Sequence, residues 1–402
     1  MSTNPIGLAL KPPQAAFSGS LLACLKLIVF GALVTFSFVP IPIHINLSQI
    51  ILLVLSVGTL YICLVRLEVD ILGTLFLILC MAISQAAGLI HSSVAEKNYL
   101  TPSLFLTSML IGPAVMILAR SYSRASLSRL MPRIINPILA FMVIECISRL
   151  ILSPHMSVAA ESDLSDSFYL YKSSLFFVDS NFAGIAILCL LSIMLTYKEV
   201  IGRNKLLLAY FLLFATLSRA SIFAGICQFA IYKLWRWRVW TLFGLLAAQV
   251  LIIGKLFINF TTQGSAAIQA VDGSLSSKFY ILSLMTDTYG KADTTQKLFG
   301  IGVGNFSSLA GIFAHNIVAT FVLELGIAGS ILLVIYIWIL CRKCPVAIYL
   351  LILPMVINGF SLVSTSMPYF FVALGLLGGL RGTMRDGTGR FSEVHSCELR
   401  EG

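Results

Sequence analysis

Windows of about twenty residues almost free of charge recur twelve times along this chain, and no other feature constrains its fold as tightly. A helix rises 1.5 Å per residue, so about 20 residues cross a ~30 Å hydrocarbon core with every backbone group bonded internally. The windows fall at 18–39, 46–65, 69–90, 101–119, 134–153, 180–197, 205–217, 220–234, 239–257, 317–340, 345–364 and 367–380. Only 11% of the 402 residues are charged and 58% are hydrophobic. Soluble chains carry roughly 25% charged residues. A water-soluble fold, a disordered chain and a secreted disulfide scaffold are therefore excluded. The expected architecture is all-α, a polytopic integral membrane protein of about 12 transmembrane helices.

The formal net charge of +10 is a matter of placement. With the N-terminus inside, the inner loops hold 18 of the 27 lysines and arginines, against five (Lys97, Lys172, Lys278, Lys291 and Lys297) in outer loops. That asymmetry sets orientation, with both termini on the cytoplasmic side. It points to anionic lipid headgroups as partners and away from nucleic acid. The organisation read from this is an inner segment 1–17, a membrane domain 18–380 and a polar inner tail 381–402 expected to be disordered. The first span carries Lys26 and no A-x-A-like cleavage site, so it reads as an uncleaved helix. Two outer loops are long, 154–179 and 258–315, the larger lying before span ten. Within the latter, Phe279, Ile281, Leu282, Leu284 and Met285 repeat at helical spacing, which predicts an amphipathic helix on the outer membrane face. The nine cysteines fall in spans, at the inner face or in the tail. Cys341 and Cys344 form a lone C-x-x-C, so neither a disulfide framework nor a metal site is expected.

Ionisable residues at bilayer depth are costly and mark functional sites. Leu217-Ser218-Arg219 interrupts an apolar stretch from Leu206 to Tyr232, which predicts a hairpin of two short arms with Arg219 at its tip. Arms of about 13 residues reach roughly 20 Å, so the tip lies below the outer surface, where a guanidinium holds a phosphate or carboxylate bidentately. The alternative for Arg219 is an ion pair, with Glu324 as the nearest choice. Arg149 follows Glu145 by four residues, which suits a local pair, while a substrate contact stays open. His315-Asn316 opens the tenth span, where a helix dipole favours the neutral imidazole a general base requires. Glu324 lies about 180° away from His315 on a continuous helix, so it is not expected to orient that ring. Gly300-Ile-Gly302-Val-Gly304 is either an anion nest of backbone amides or a turn folding back toward His315. Asp179-Ser-Asn181 opens the sixth span, as a helix cap or as a sugar or phosphate contact.

These pieces resemble a known family. The segment Leu298–Phe306 with its three glycines, then His315-Asn316, nine residues, Gly326 and Gly329, is similar to the signature of the O-antigen polymerase and O-antigen ligase superfamily. Leu217-Ser218-Arg219-Ala220 resembles that family's Ser-Arg hairpin, and Asp179-Ser-Asn181 its Asp-x-Asn helix start. The resemblance covers roughly 165–335. It implies joining of glycans carried on undecaprenyl pyrophosphate at the periplasmic face of the bacterial inner membrane, with no cofactor and no metal. It implies His315 as the base on the acceptor hydroxyl and Arg219 as the cation on the leaving pyrophosphate. Arg149, Asn181, Lys278 and Asn316 would contact substrate. Lys278 stands where the family often has arginine, and offers a point charge in place of a fork. The leading expectation is a polymerase of lipid-linked repeat units, with a flippase and a chain-length regulator as pathway partners. A ligase sharing the same motifs, or a polysaccharide export protein, is the alternative.

Overall fold

The computed structural model describes residues 14–33, 47, 50, 69–92, 94, 96–156, 171–263, 273–310, 316–359, 367–380, 383–385 and 391–393. It is mostly helical. The described helices are α1 (Gln14–Gly31), α2 (Val69–His91), α3 (Leu100–Arg120), α4 (Arg124–Met156), α5 (Ser180–Thr196), α6 (Arg203–Ala215), α7 (Arg219–Lys233) and α8 (Arg238–Gln263). They continue with α9 (Gly273–Lys291), α10 (Thr294–Phe299), α11 (Ile317–Glu324), α12 (Gly326–Cys341), α13 (Pro345–Gly359) and α14 (Pro368–Gly378). A two-residue ladder pairs β1 (Ser173–Ser174) with β2 (Val178–Asp179). Within 381–402, expected to lack order, β3 (Thr383–Arg385) pairs antiparallel with β4 (Phe391–Glu393).

Among the described residues, four helices are long and apolar enough to cross a membrane: Val69–His91, Leu100–Arg120, Ala125–Leu152 and Trp235–Leu256. A fifth is counted if α11 and α12 are one span, but they meet at 120°, so the continuous tenth span read from hydropathy is broken. The predicted window 46–65 lies almost wholly outside the described residues, as do the ends of 18–39 and 345–364. Helix α4 begins ten residues before its predicted span, and Arg129 and Arg133, which precede the window 134–153, ride on its first turns. A helix longer than the apolar core simply carries its cations beyond it.

The packing follows from where backbone groups are left over. Pro113 has no N–H, so the carbonyl of Met109, four residues earlier in α3, loses its helical donor. The Tyr336 hydroxyl on α12 donates to that carbonyl at 2.5 Å and is fully buried. Gly112 leaves the room: a Cβ there would stand 2.5 Å from the same hydroxyl. Helix α14 lies against α3, where the bare Cα of Gly375 faces the carbonyl of Gly112. Gln228, buried in α7, donates to the carbonyls of Leu188 (3.2 Å) and Leu350 (2.6 Å), the latter in a π turn of α13 spanning Ile348–Ile352.

The two ends of the bundle differ. At one, Asp70 on α2 meets Lys343 (2.5 Å), Arg120 at the end of α3 (3.4 Å) and Arg342 beyond α12. An acid at a helix start and cations at helix ends also match the backbone dipoles. At the other end lie the α2–α3 connection, the glycine loop 300–305 and α9. The apolar face of α9 is taken up by the protein, not left for the membrane surface: Ile281, with Leu284, Met285 and Tyr289 beside it, packs on Val94, Ile301, Phe306, Ala319 and Leu323. Phe279 on α9 is buried as well. Helix α8 is the opposite case, with Trp240 and Leu251 each 72% exposed. An apolar surface of this extent fits a lipid environment.

Candidate functional site

The chain turns sharply where the hairpin was predicted. Helix α6 ends at Ala215 and α7 starts at Arg219. Thr216 Oγ1 donates to the Leu213 carbonyl (2.7 Å) and accepts the Ser218 amide (3.2 Å). Leu217 takes φ of 55°, the left-handed region that costs a residue bearing a Cβ about 1–2 kcal/mol. Ser218 caps α7: its Oγ accepts the Ser221 amide and donates to Ser221 Oγ at 2.9 Å. Ser221 Oγ passes the chain on to Asn358 Oδ1 at 3.0 Å, near the end of α13. Gly184 on α5 admits this arrangement, since a Cβ there would meet Ser221 Oγ at 2.5 Å. Arg219 stands exposed on the first residue of α7.

Arg149 holds the same turn from within. Its Nε donates to Glu145 Oε1 (3.1 Å), the pair its spacing suggested. Nη1 donates to the Tyr171 carbonyl (3.1 Å) and Nη2 to the Ala215 carbonyl (2.7 Å), the last residue of α6. Ser174 Oγ on β1 also donates to Glu145 Oε1 (2.9 Å). Both charged side chains are about 1% exposed or less. The Arg149 guanidinium thus fastens α4, the β1–β2 turn and the hairpin tip together.

Asp179 is the cap of α5, accepting the Asn181 amide at 2.7 Å, and Lys172 pairs with it at 3.6 Å. Asn181 itself is half-buried, one turn before Gly184. Asn316 is 1% exposed and caps α11, accepting the Val318 amide at 2.8 Å. Ile317 packs on Gly359, whose Cβ would fall 3.0 Å from that of Ile317. The starts of α7 and α11 therefore both meet the last turn of α13, at Asn358 and Gly359. Lys278 is half-buried on α9, which lies against α8 and α11. His315 lies outside the described residues; its neighbour Asn316 marks where that segment enters.

Glu324 is neither the partner that was considered for Arg219 nor on a continuous helix with Asn316. It closes a π turn, Thr320–Glu324, in which Leu325 N donates to Thr320 O (2.9 Å). The chain then breaks at Gly326, φ 66°. The glycine loop crosses there: Ile301 N donates to Leu323 O (2.9 Å) and Gly302 N to Glu324 O (3.1 Å). Gly300, Gly302 and Gly304 all have φ between 75° and 87°. A Cβ on Gly300 would run into the Glu324 carbonyl, and one on Gly326 into the Gly300 amide. The loop amides do form a nest, and its occupant is the chain's own: the Glu324 carboxyl accepts from Phe306 N (3.4 Å) and Gly304 N, with Thr320 as a further partner. Gln85 Oε1 on α2 takes the Val303 amide (2.9 Å), and Asn305 exchanges bonds with Asn98 N (2.7 Å) and Asn98 O (3.1 Å). Sequence reasoning missed Gln85, Asn98, Ser221 and Asn358; polar residues within or beside apolar windows were their only signal. Comparisons of this chain with protein-family models, with curated proteins and with solved structures gave no match.

Proposed function

We propose that the protein polymerises oligosaccharide repeat units carried on undecaprenyl pyrophosphate into exopolysaccharide or O-antigen. In this reading the chain crosses the bacterial inner membrane about twelve times, with both termini cytoplasmic and the loop 258–315 in the periplasm. The observation that supports it is the meeting of the Ser218-Arg219 turn and the start of α11 on Asn358 and Gly359. Those are the two segments to which the family resemblance assigns the cation and the base. The acceptor hydroxyl attacks the anomeric carbon of the donor sugar, His315 takes its proton, and the sugar–phosphate bond breaks. The electron pair leaves on the pyrophosphate, beside Arg219. Charge builds on that leaving group, so a preorganised guanidinium lowers the barrier most where it forms two bonds. Asn181, Asn316 and Lys278 border the same end of the bundle as substrate contacts, and Arg149 serves by holding the turn that carries Arg219. No cofactor or metal enters the chemistry. A flippase would deliver the donor, and a chain-length regulator would set product size.

The test is turnover in lipid nanodiscs containing a lipid-linked repeat unit. A polymerase gives a ladder of lengths. One transfer to a separate acceptor identifies a ligase, and vesicle transport without bond formation identifies an export protein. His315→Ala abolishes the ladder and Arg219→Lys lowers kcat by about 100-fold, the usual cost of one transition-state donor. Full activity in His315→Ala overturns the reading.

A further inference from the structure

We infer that Glu324 is a positioning residue, a latch that ties the glycine loop to the π turn following Asn316 and so sets where Asn316 stands relative to Arg219. The inference rests on the proposed function for its consequence, and on geometry for its cause.

The carboxyl group is 4% exposed, inside an apolar end of the bundle. Buried carboxyl groups need bonds to hold them there. The bonds it has run to the backbone of a loop eighteen to twenty residues earlier: Phe306 N at 3.4 Å and Gly304 N, with Thr320 beside them. The loop's own carbonyl and amide bonds to Leu323 and Glu324 bring the two strands of chain into contact, but they fix only Ile301 and Gly302. The carboxyl is what reaches past them to Gly304 and to Phe306, the first residue of a short helix Phe306–Ala310. Downstream the same π turn starts from Thr320, whose amide is bonded to Asn316 O at 3.0 Å. Both ends of the segment 306–316 are thereby tied to one turn of helix. Phe306 is fully buried against Leu323 and Ala319, which makes the attachment stiff. Glu324 is the last residue of the π turn, immediately before the 120° break. π turns inside helices recur at functional sites. Nothing in this arrangement asks the carboxyl to touch substrate.

The experiment compares the full-length protein with Glu324→Gln and Glu324→Ala in nanodiscs, by hydrogen exchange and by turnover of the lipid-linked repeat unit. Glutamine keeps the shape but offers one amide oxygen as acceptor in place of the carboxyl group's two. Exchange at the Gly304 and Phe306 amides should rise about tenfold in Glu324→Gln and more in Glu324→Ala, together with that at Val318 and Thr320, while α3 and α5 stay as in the wild type. In the same variants kcat falls at least tenfold with KM for the lipid-linked donor within about twofold, the split expected when a group is misplaced and binding is not lost. Glu324→Gln recovers part of what Glu324→Ala loses. If alanine prevents accumulation of the protein, the glutamine variant alone decides. Unchanged exchange at Gly304 and Phe306 overturns the latch, and faster exchange with unchanged kcat overturns the positioning role. A wild-type chain that makes no glycan refutes the function separately, and the coupled exchange of Phe306 and Val318 then stands or falls by itself.

Discussion

Replacing Arg149 by methionine keeps most of the volume of the stem and removes every donor at its end. Three acceptors are orphaned: Glu145 Oε1, the Tyr171 carbonyl and the Ala215 carbonyl. Breaking a buried ion pair by removing one partner costs about 3–5 kcal/mol, because a charge is left uncompensated. Each orphaned carbonyl adds about 1–3 kcal/mol if nothing replaces its donor. These costs overlap, since Ser174 still donates to Glu145 and the turn at 216–218 has room to relax. A net loss of about 3–5 kcal/mol is expected. Pairing the change with Glu145→Gln removes the stranded charge and should restore about 2 kcal/mol, a coupling that a double-mutant cycle isolates. Arg149→Lys should not rescue, because one ammonium cannot serve acceptors on α4, the β1–β2 turn and α6 at once. The assay is reversible unfolding in mixed micelles, read beside hydrogen exchange at Ala215–Arg219. An Arg149→Met protein within 1 kcal/mol of the wild type, with the hairpin turn unloosened, would refute the reasoning.

At the opposite end, Asp70→Asn leaves three cations together without their anion. Arg342 and Lys343 are 42% and 45% exposed and largely screened, so the loss of about 1–3 kcal/mol comes mainly through Arg120. Melting curves should show the variant recovering part of its deficit at high salt; an unchanged midpoint at low salt counts against the cluster. Gly300→Ala places a Cβ against the Glu324 backbone at φ 75°, and should cost more than 2 kcal/mol in thermal unfolding or stop the protein accumulating. Gly290→Ala, which meets nothing within 4 Å, should be neutral or mildly stabilising, and equal behaviour of the two would remove the steric argument.

Hydropathy located the helices because lipid imposes one length and one composition on whatever crosses it. It does not report where a helix breaks. The run from Ile317 to Leu340 reads as a single apolar span, yet it bends by 120° at Leu325. The only local sign is Gly326, and a glycine in an apolar window is compatible with an ordinary helix. The hairpin at Leu217-Ser218-Arg219 was legible because a polar break carrying an arginine interrupts the apolar stretch, leaving arms of 13 and 15 residues. Spacing within a helix also carried the Arg149–Glu145 pair. It could not carry the bonds from Arg149 to Tyr171 and Ala215, which depend on elements 22 and 66 residues away. For the same reason the glycine loop was read as a turn or as a nest for an outside anion, when its occupant is a side chain twenty residues downstream. Arg219 and Asn316 are placed at one end by tertiary contacts that no window of sequence contains.

Backbone breaks explain several of the buried polar residues among those described. In an apolar surrounding each carbonyl or amide released from a helix must be bonded by something else. The carbonyl freed by Pro113 is taken by Tyr336, and a carbonyl of the π turn in α13 by Gln228. The end of α6 is taken by Arg149, the start of α7 by Ser218, and the amides of the glycine loop by Glu324 and Gln85. Polar residues that repair the backbone face inward and are buried. Arg219 differs: the turn beside it is already closed by Thr216, Ser218 and Arg149, and its side chain is exposed. The two arginines thus differ in placement, Arg149 enclosed among its acceptors and Arg219 exposed at the start of α7.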